Sequence, residues 1–172
     1  MKRLAPEDDE RPLSPEYIPS WEGRESGELF EKYPLQLISP HPRFSFHTHY
    51  DNHALWLNEI PGHRIIKDGY AYWPIRLNPQ DAAERNIRSG MVIEIYNDRG
   101  SVLGVAEVTH RVPPGVVHSY GCSAKYDPVA PVPGATDRAG CVNLLTSSRM
   151  LSKYCPGMAP NSCLCEARVW GA

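Results

Sequence analysis

The residue types with the widest chemistry in this chain, histidine and cysteine, fall in clusters. His41, His47, His49 and His53 crowd one stretch together with Asp51, and His47 and His49 would share a face if the backbone there were extended. Imidazoles and a carboxylate in that number are zinc-ligand types. Their spacing has no fixed four-ligand pattern, so a polar loop without a protein-held metal is the expectation. Cys163 and Cys165 make a lone Cys-x-Cys, read as small side chains on one face of a closing strand. Asn143 and Asn161 stand among turn formers, where asparagine is common in its own right. Each amide also offers a donor and an acceptor in one plane. Nowhere does a nucleophile stand beside its base, and no cysteine run has iron–sulfur spacing.

These residues need a scaffold, and the composition bounds what it is. With 172 residues, 41% of them hydrophobic, one well-buried core is the default. A net charge of -2 from 18 basic and 20 acidic side chains gives no polyanion footprint, which argues against nucleic acid as a partner. No apolar run approaches the roughly 20 residues needed to cross a bilayer, and the opening MKRLAPEDDERPLSP lacks a signal-peptide core. Five cysteines without a Cys-x-x-Cys pair fit a reducing compartment, so a cytoplasmic location is expected. Seventeen prolines and thirteen glycines imply many turns between short elements, favouring a β-rich barrel over a helical bundle.

Residues 1–32 read as an extended, polar, Pro-punctuated arm, and residues 33–172 as the folded domain. A strand is expected around Leu35, Leu37 and Ile38, then the histidine loop, one helical turn at residues 54–57, an aromatic loop at residues 70–74 and a strand at residues 75–77. The helix from Pro79 to about Arg85 is the best-specified element: Asn78 can cap it, Pro79 suits its first position, and Asp81 favours its positive end. Asn86 can stop it in a left-handed conformation. In the next strand Ile93 and Ile95 share one face. Asn97-Asp98-Arg99-Gly100 reads as a hairpin turn with Gly100 at the positive dihedral. On the returning strand Val102, Ala106 and Val108 share a face while Leu103 and Val105 lie opposite, so that strand is either buried between layers or presents a docking face. Residues 121–140 form a long turn-rich connection of the kind that is often functional. A last strand is expected over residues 162–170, and Trp21, Trp56, Trp73 and Tyr72 are expected in packing roles.

Four segments in order, SPHPRFSFHTHYDN (residues 39–52), the block of residues 77–120, GCVNLLTSSRMLSK (residues 140–153) and GMAPNSCLCEARVW (residues 157–170), resemble the carboxy-terminal cofactor-binding domain of the molybdopterin oxidoreductases, the dimethyl sulfoxide reductase family. Within it the resemblance leans to the transhydroxylase branch, whose substrates are hydroxylated aromatics. The resemblance implies a mainly β fold with small helices, a six-stranded double-psi β-barrel of the aspartate-decarboxylase type. It implies binding of molybdopterin guanine dinucleotide (bis-MGD) holding Mo or W, jointly with domains absent from this chain. It also implies partners: the remaining catalytic domains or large subunit, and an iron–sulfur subunit. By position in these motifs, His47, Thr48, Asn143 and Asn161 are the first candidate contacts, with Ser39, His41, Arg43, Tyr120 and Lys153 behind them. The family's protein ligand to the metal lies in an earlier domain, so none is assigned here. Two other readings stay open. One is an independent enzyme on the same barrel that cleaves itself at Gly100-Ser101. The other is a non-catalytic module docking through Leu103 and Val105.

Overall fold

The computed structural model describes residues 12–49, 51, 54–121, 123, 125–159 and 161–171. In chain order its regular elements are helix α1 (Glu28–Lys32), strands β1 (Leu35–Ile38), β2 (Ile65–Lys67), β3 (Tyr70–Tyr72) and β4 (Pro74–Leu77), helix α2 (Pro79–Glu84), then β5 (Val92–Asn97), β6 (Gly100–Val108), β7 (Val116–His118), β8 (Met150–Ser152), β9 (Cys155–Met158) and β10 (Leu164–Val169). Two 3-10 turns, Leu55–Glu59 and Val142–Leu144, interrupt the long connections.

Strands β1, β10, β5, β6, β4 and β7 hydrogen-bond in that order, and β7 closes the ring on β1. The closed six-stranded barrel agrees with the expected fold class and leaves its ladder without a free edge. Pairs β1–β7 and β4–β6 are parallel; the remaining four pairs are antiparallel. These directions bring one set of termini together. The C-terminal ends of β1 and β7, the N-terminal ends of β4 and β10 and the β5–β6 turn all lie at one end of the barrel. Helix α2 and the turn before β7 lie at the other.

The alternating pattern fills the interior. Leu35, Leu37, Ile75, Leu77, Ile93, Ile95, Val102, Val117 and Cys165 are all essentially removed from water. Gly104 belongs on the same inward face, where a Cβ would stand 2.5 Å from the Ile75 side chain. Only glycine lets β4 approach β6 this closely.

Helix α2 forms where its local signals lie. The Asn78 side chain accepts from the Gln80 amide at 3.0 Å, Pro79 opens the helix, and Asn86 beyond it has φ 55°. Asp81 accepts from the Gly115 amide at 2.8 Å, tying the helix to the turn before β7.

Three local expectations change, and the open alternative for β6 is decided in favour of burial. Gly100 is not left-handed; it opens β6 opposite Asn97, with Asp98 and Arg99 making the turn, and a Cβ there would meet the Leu144 carbonyl at an ordinary contact distance of 3.4 Å. The aromatic stretch is not a loop: β2 and β3 pair as a hairpin around Asp68 and Gly69, both left-handed (φ 50° and 75°). That hairpin covers the outer face of β6, so Leu103 and Val105 are buried beneath Tyr72, Tyr70 and Ile65 and present no docking face. Trp56 is 64% exposed rather than packed.

The second half of the amino-terminal arm is neither extended nor separate from the barrel. Glu22 is buried, its carboxylate accepting two bonds from Arg99 (2.6 and 2.8 Å) and one from the Leu164 amide (2.9 Å). Glu22 can be desolvated only because those donors satisfy it. Lys32 and the Tyr33 hydroxyl both reach Asp98 in the β5–β6 turn.

Candidate functional site at one end of the barrel

The long connections leaving the end shared by β1 and β7 carry all nine residues singled out by motif position. The post-β1 segment begins at Ser39, whose amide donates to the Asn161 side-chain oxygen at 3.1 Å. Gln36 reinforces this junction by donating to the Asn161 carbonyl at 2.5 Å and to that of Cys163 at 3.0 Å. Gly121 donates to the Pro40 carbonyl at 3.0 Å, and a Cβ on Gly121 would stand 2.8 Å from the Ser39 carbonyl. Three segments distant in sequence therefore meet at Ser39, Gly121 and Asn161.

Farther along the post-β1 segment, His41 and His47 lie edge to face with ring centres 4.6 Å apart. His47 is left-handed (φ 53°), a conformation that costs free energy for a residue with a Cβ. It lies between Phe46 and His49, which close a short bridge and stack with ring centres 5.5 Å apart. Thr48 is exposed within that turn, and the Arg43 guanidinium stands over the Phe44 ring. His53 and its neighbour Asn52 lie outside the described residues.

Tyr120 follows β7 and packs against Trp73 and His118 at 5.5 and 5.2 Å. The Arg76 guanidinium stands over the Tyr120 ring, donates to Glu107 at 2.9 Å, and lies 3.3 Å from His118 Nδ1. Burial, and then the Arg76 charge, push the His118 imidazole below its usual pKa, so it is neutral near pH 7.

Asn143 lies exposed in the second 3-10 turn, its carbonyl accepting from Thr146. That turn is tied to the β5–β6 end: Asn97 and Arg99 both donate to the Leu145 carbonyl, and the Cys163 thiol does so at 3.2 Å. The segments of Asn143 and Asn161 thus meet through Leu145 and Cys163. Lys153 sits apart, in the turn of the β8–β9 hairpin beside the Tyr154 ring.

Cys163 and Cys165 are free, buried thiols. Burial pushes the Cys163 thiol up to about 11, with Arg99 opposing the shift, and pushes Cys165 up as well. Both are packing residues. Gly100 and Ser101 stand in the β6 ladder opposite Asn97 and Tyr96, and Ser101 Oγ is 2.8 Å from Thr136 Oγ1. A hairpin explains that dipeptide without self-cleavage.

Sequence reasoning missed three features here. Arg64 is buried against Asp51 at 2.8 Å, and its guanidinium lies 3.3 Å from the Trp73 ring centre. Asp137, fully buried, accepts from the amides of Asp127, Ala139 and Cys141 and so organises the post-β7 connection. His63 is buried between Phe44 and Trp73, and burial lowers its pKa. Neither Arg64 nor Asp137 belongs to a motif in sequence; only their flanking turn formers hinted at a constrained position.

The chemistry of this end fits a long, polar, anionic heteroaromatic ligand. It carries two exposed planar amides, imidazoles, and cations from several loops. The ring nitrogen of Trp73, both ring nitrogens of His63, Ser45 Oγ and Arg64 Nε are buried without a hydrogen-bond partner among the described residues. Buried polar atoms normally have partners, so these five atoms are exceptions within the loop cluster, each sealed from solvent.

The chain matches the family model described as "Molydopterin dinucleotide binding domain" over residues 35–164. It is 47% identical over 163 residues to the pyrogallol hydroxytransferase large subunit of Pelobacter acidigallici, covering 95% of this chain and 19% of that protein. It is 32% identical to a trimethylamine-N-oxide reductase of Haemophilus influenzae, covering 86% of this chain and 17% of the relative. A dimethyl sulfoxide reductase of Escherichia coli is 35% identical, with 84% and 16% covered. The structure of acetylene hydratase from Pelobacter acetylenicus superposes with a TM-score of 0.60 at 18% identity, covering 90% of this chain and 21% of that one, which supports the fold. This chain belongs to the molybdopterin dinucleotide-binding domain family. It spans less than a fifth of the curated relatives it matches. Among the described residues no helix is long and apolar enough to cross a membrane.

Proposed function

We propose that residues 33–172 form the cofactor-binding domain, or a separate subunit, of a larger bis-MGD enzyme containing Mo or W, with residues 1–32 as an amino-terminal arm. The redox or hydroxyl-transfer chemistry belongs to the cofactor's metal when it is bound. This chain's residues bind and orient the dinucleotide. Asn161, His47, Thr48 and Asn143 meet its ring edges, with Ser39, His41, Arg43, Tyr120 and Lys153 around them. The observation that carries the reading is the junction of Ser39, Gly121 and Asn161. It fixes three loops at one barrel end and leaves the Asn161 amide nitrogen directed to neither of its described partners. Hydroxylated aromatics are the proposed substrate class, since the 47% identical relative is a pyrogallol hydroxytransferase large subunit. The remaining catalytic domains are the proposed partners, with an iron–sulfur subunit beside them, in the cytoplasm.

Co-expression of this chain with the remaining domains, followed by pterin and metal analysis, tests the proposal. The assembled protein should carry molybdopterin guanine dinucleotide with Mo or W. The isolated chain should show no turnover of aromatic substrates with a redox dye. A pterin-free assembly, or turnover by this chain alone, would refute the reading.

A further inference from the structure

Strand β4 lies between β6 and β7, and its Arg76 is in register with Glu107 on one side and His118 on the other. The neighbouring Ile75 and Leu77 belong to the core, so these three side chains form one row across the outer wall of the barrel. The Arg76 guanidinium spans that row. Its Nε donates to Glu107 at 2.9 Å, Nη1 lies 3.3 Å from His118 Nδ1, and its carbon stands 5.3 Å from the centre of the Tyr120 ring. Only 15% of the Arg76 side chain is exposed.

The backbone on both sides of Tyr120 is fixed. The Ser119 amide donates to the Ile38 carbonyl at 3.1 Å, and the Gly121 amide to that of Pro40 at 3.0 Å. What remains to be set is the direction of the Tyr120 ring. Trp73 packs against it at 5.5 Å, His118 meets it edge to face at 5.2 Å, and the Arg76 cation attracts its π system.

A guanidinium has five N–H donors and no acceptor. His118 Nδ1 is therefore the acceptor of the 3.3 Å contact and carries no proton, which leaves the hydrogen of the neutral ring on Nε2. Protonation of Nδ1 would turn this contact into two facing donors and set an imidazolium beside a guanidinium. Burial and the Arg76 charge oppose that protonation, while Glu107 favours it. From β1, the other strand paired with β7, the residue in register with His118 is Ile38, which brings no charge.

We infer that Arg76 and His118 are positioning residues that together hold the Tyr120 ring at the cofactor end of the barrel, and do so only while His118 Nδ1 is unprotonated. The inference rests on the cofactor reading solely for what Tyr120 meets. Acidification then frees the ring while the Ser119 and Gly121 amides keep its loop in place.

The test is an NMR titration of the 172-residue chain from about pH 8 to about pH 4, following the His118 and Tyr120 ring signals and repeated on His118→Asn and Arg76→Gln. At the alkaline end, long-range nitrogen–proton correlations should place the His118 proton on Nε2. The Tyr120 signals should then move with the same midpoint as His118, below the ordinary ~6.5 of histidine. His118→Asn offers a side-chain amide acceptor that does not titrate. In that variant the Tyr120 step should vanish, with the ring held in its alkaline position, whereas a step arising from Glu107 would persist. Arg76→Gln should raise the His118 midpoint and uncouple Tyr120 from it; if that variant does not fold, His118→Asn decides. Four results would each overturn the assignment: a proton on Nδ1 at the alkaline end, a His118 ring that does not titrate in this range, Tyr120 signals that do not follow it, or a Tyr120 step that survives in His118→Asn. The pterin content of the assembled enzyme tests the cofactor reading separately.

Discussion

At the scale of single residues, protonation and hydrogen-bond state follow from burial and immediate neighbours. The Cys163 thiol, pushed up to about 11, is almost wholly protonated at neutral pH, and a thiol without thiolate is a poor nucleophile. Peptide mapping after iodoacetamide treatment at pH 7.5 should find Cys163 and Cys165 unmodified in the native chain and modified in denaturant. Asp127 shows the opposite shift. Lys125, then the Tyr70 hydroxyl, holds its carboxyl down to about 2. An unfolded aspartate titrates near ~3.9, so this group's contribution is fully present above that pH and is lost as pH falls through about 2. The stability gap between the parent chain and Asp127→Asn should be constant above pH ~4 and close between there and pH ~2. Its size should not exceed about 1 kcal/mol, because the partners Lys125 and Arg138 are largely solvated. Asn161→Ala belongs to the same scale. It removes the acceptor for Ser39, and in the assembled enzyme it should cost about 1–3 kcal/mol of cofactor binding while the barrel stays folded, read as pterin occupancy.

Elements are decided by short-range rules with one tertiary check each. The Asn78 side chain caps α2 through Gln80 and also donates to the Val112 carbonyl at 2.8 Å across the barrel end. Asn78→Ala should therefore lower stability by about 1–2 kcal/mol in denaturant titration, since it loses a cap and strands a buried carbonyl. Within β6, the sequence pattern correctly puts Val102, Ala106 and Val108 on one face. It is silent about what lies over Leu103 and Val105, because the β2–β3 hairpin that buries them comes from some thirty residues earlier. The Asp68-Gly69 pair, just ahead of the aromatic run, was a legible turn signal for that hairpin.

For the whole molecule, barrel closure assembles the site and ties down the arm. The six barrel strands bring the connections after β1 and β7 to the same end as the segment before β10, so residues 39, 121 and 161 meet although none is near another in sequence. Glu22 bridges the arm to Arg99 in the β5–β6 turn and to Leu164 at the start of β10. Removing residues 1–20 should leave the melting temperature nearly unchanged, because residues 12–20 are exposed. Removing residues 1–32 should destabilise the barrel by about 2–3 kcal/mol. That is less than for a fully buried ion pair, since the Arg99 side chain is 34% exposed.

What the sequence by itself determined was local and ordered along the chain: the capped α2, the alternation in β5 and β6, the turn-rich connections, and four family motifs in succession that carried the fold class and the cofactor. Caps, periods and turns act over a few residues, so they are written where they operate. Only the tertiary structure decided which segments touch. Asp51 with Arg64, and Arg64 with Trp73, face each other because the post-β1 connection folds back over β3 and β4. Glu22 is satisfied only because β5, β6 and β10 come together. The pairing of a buried charge depends on donors supplied from elsewhere after closure, and no spacing within the chain encodes their arrival. The same cause explains Gly100, expected to serve its own turn. Its φ is not positive, and it stands in the β6 ladder next to Leu144, on a segment more than forty residues away.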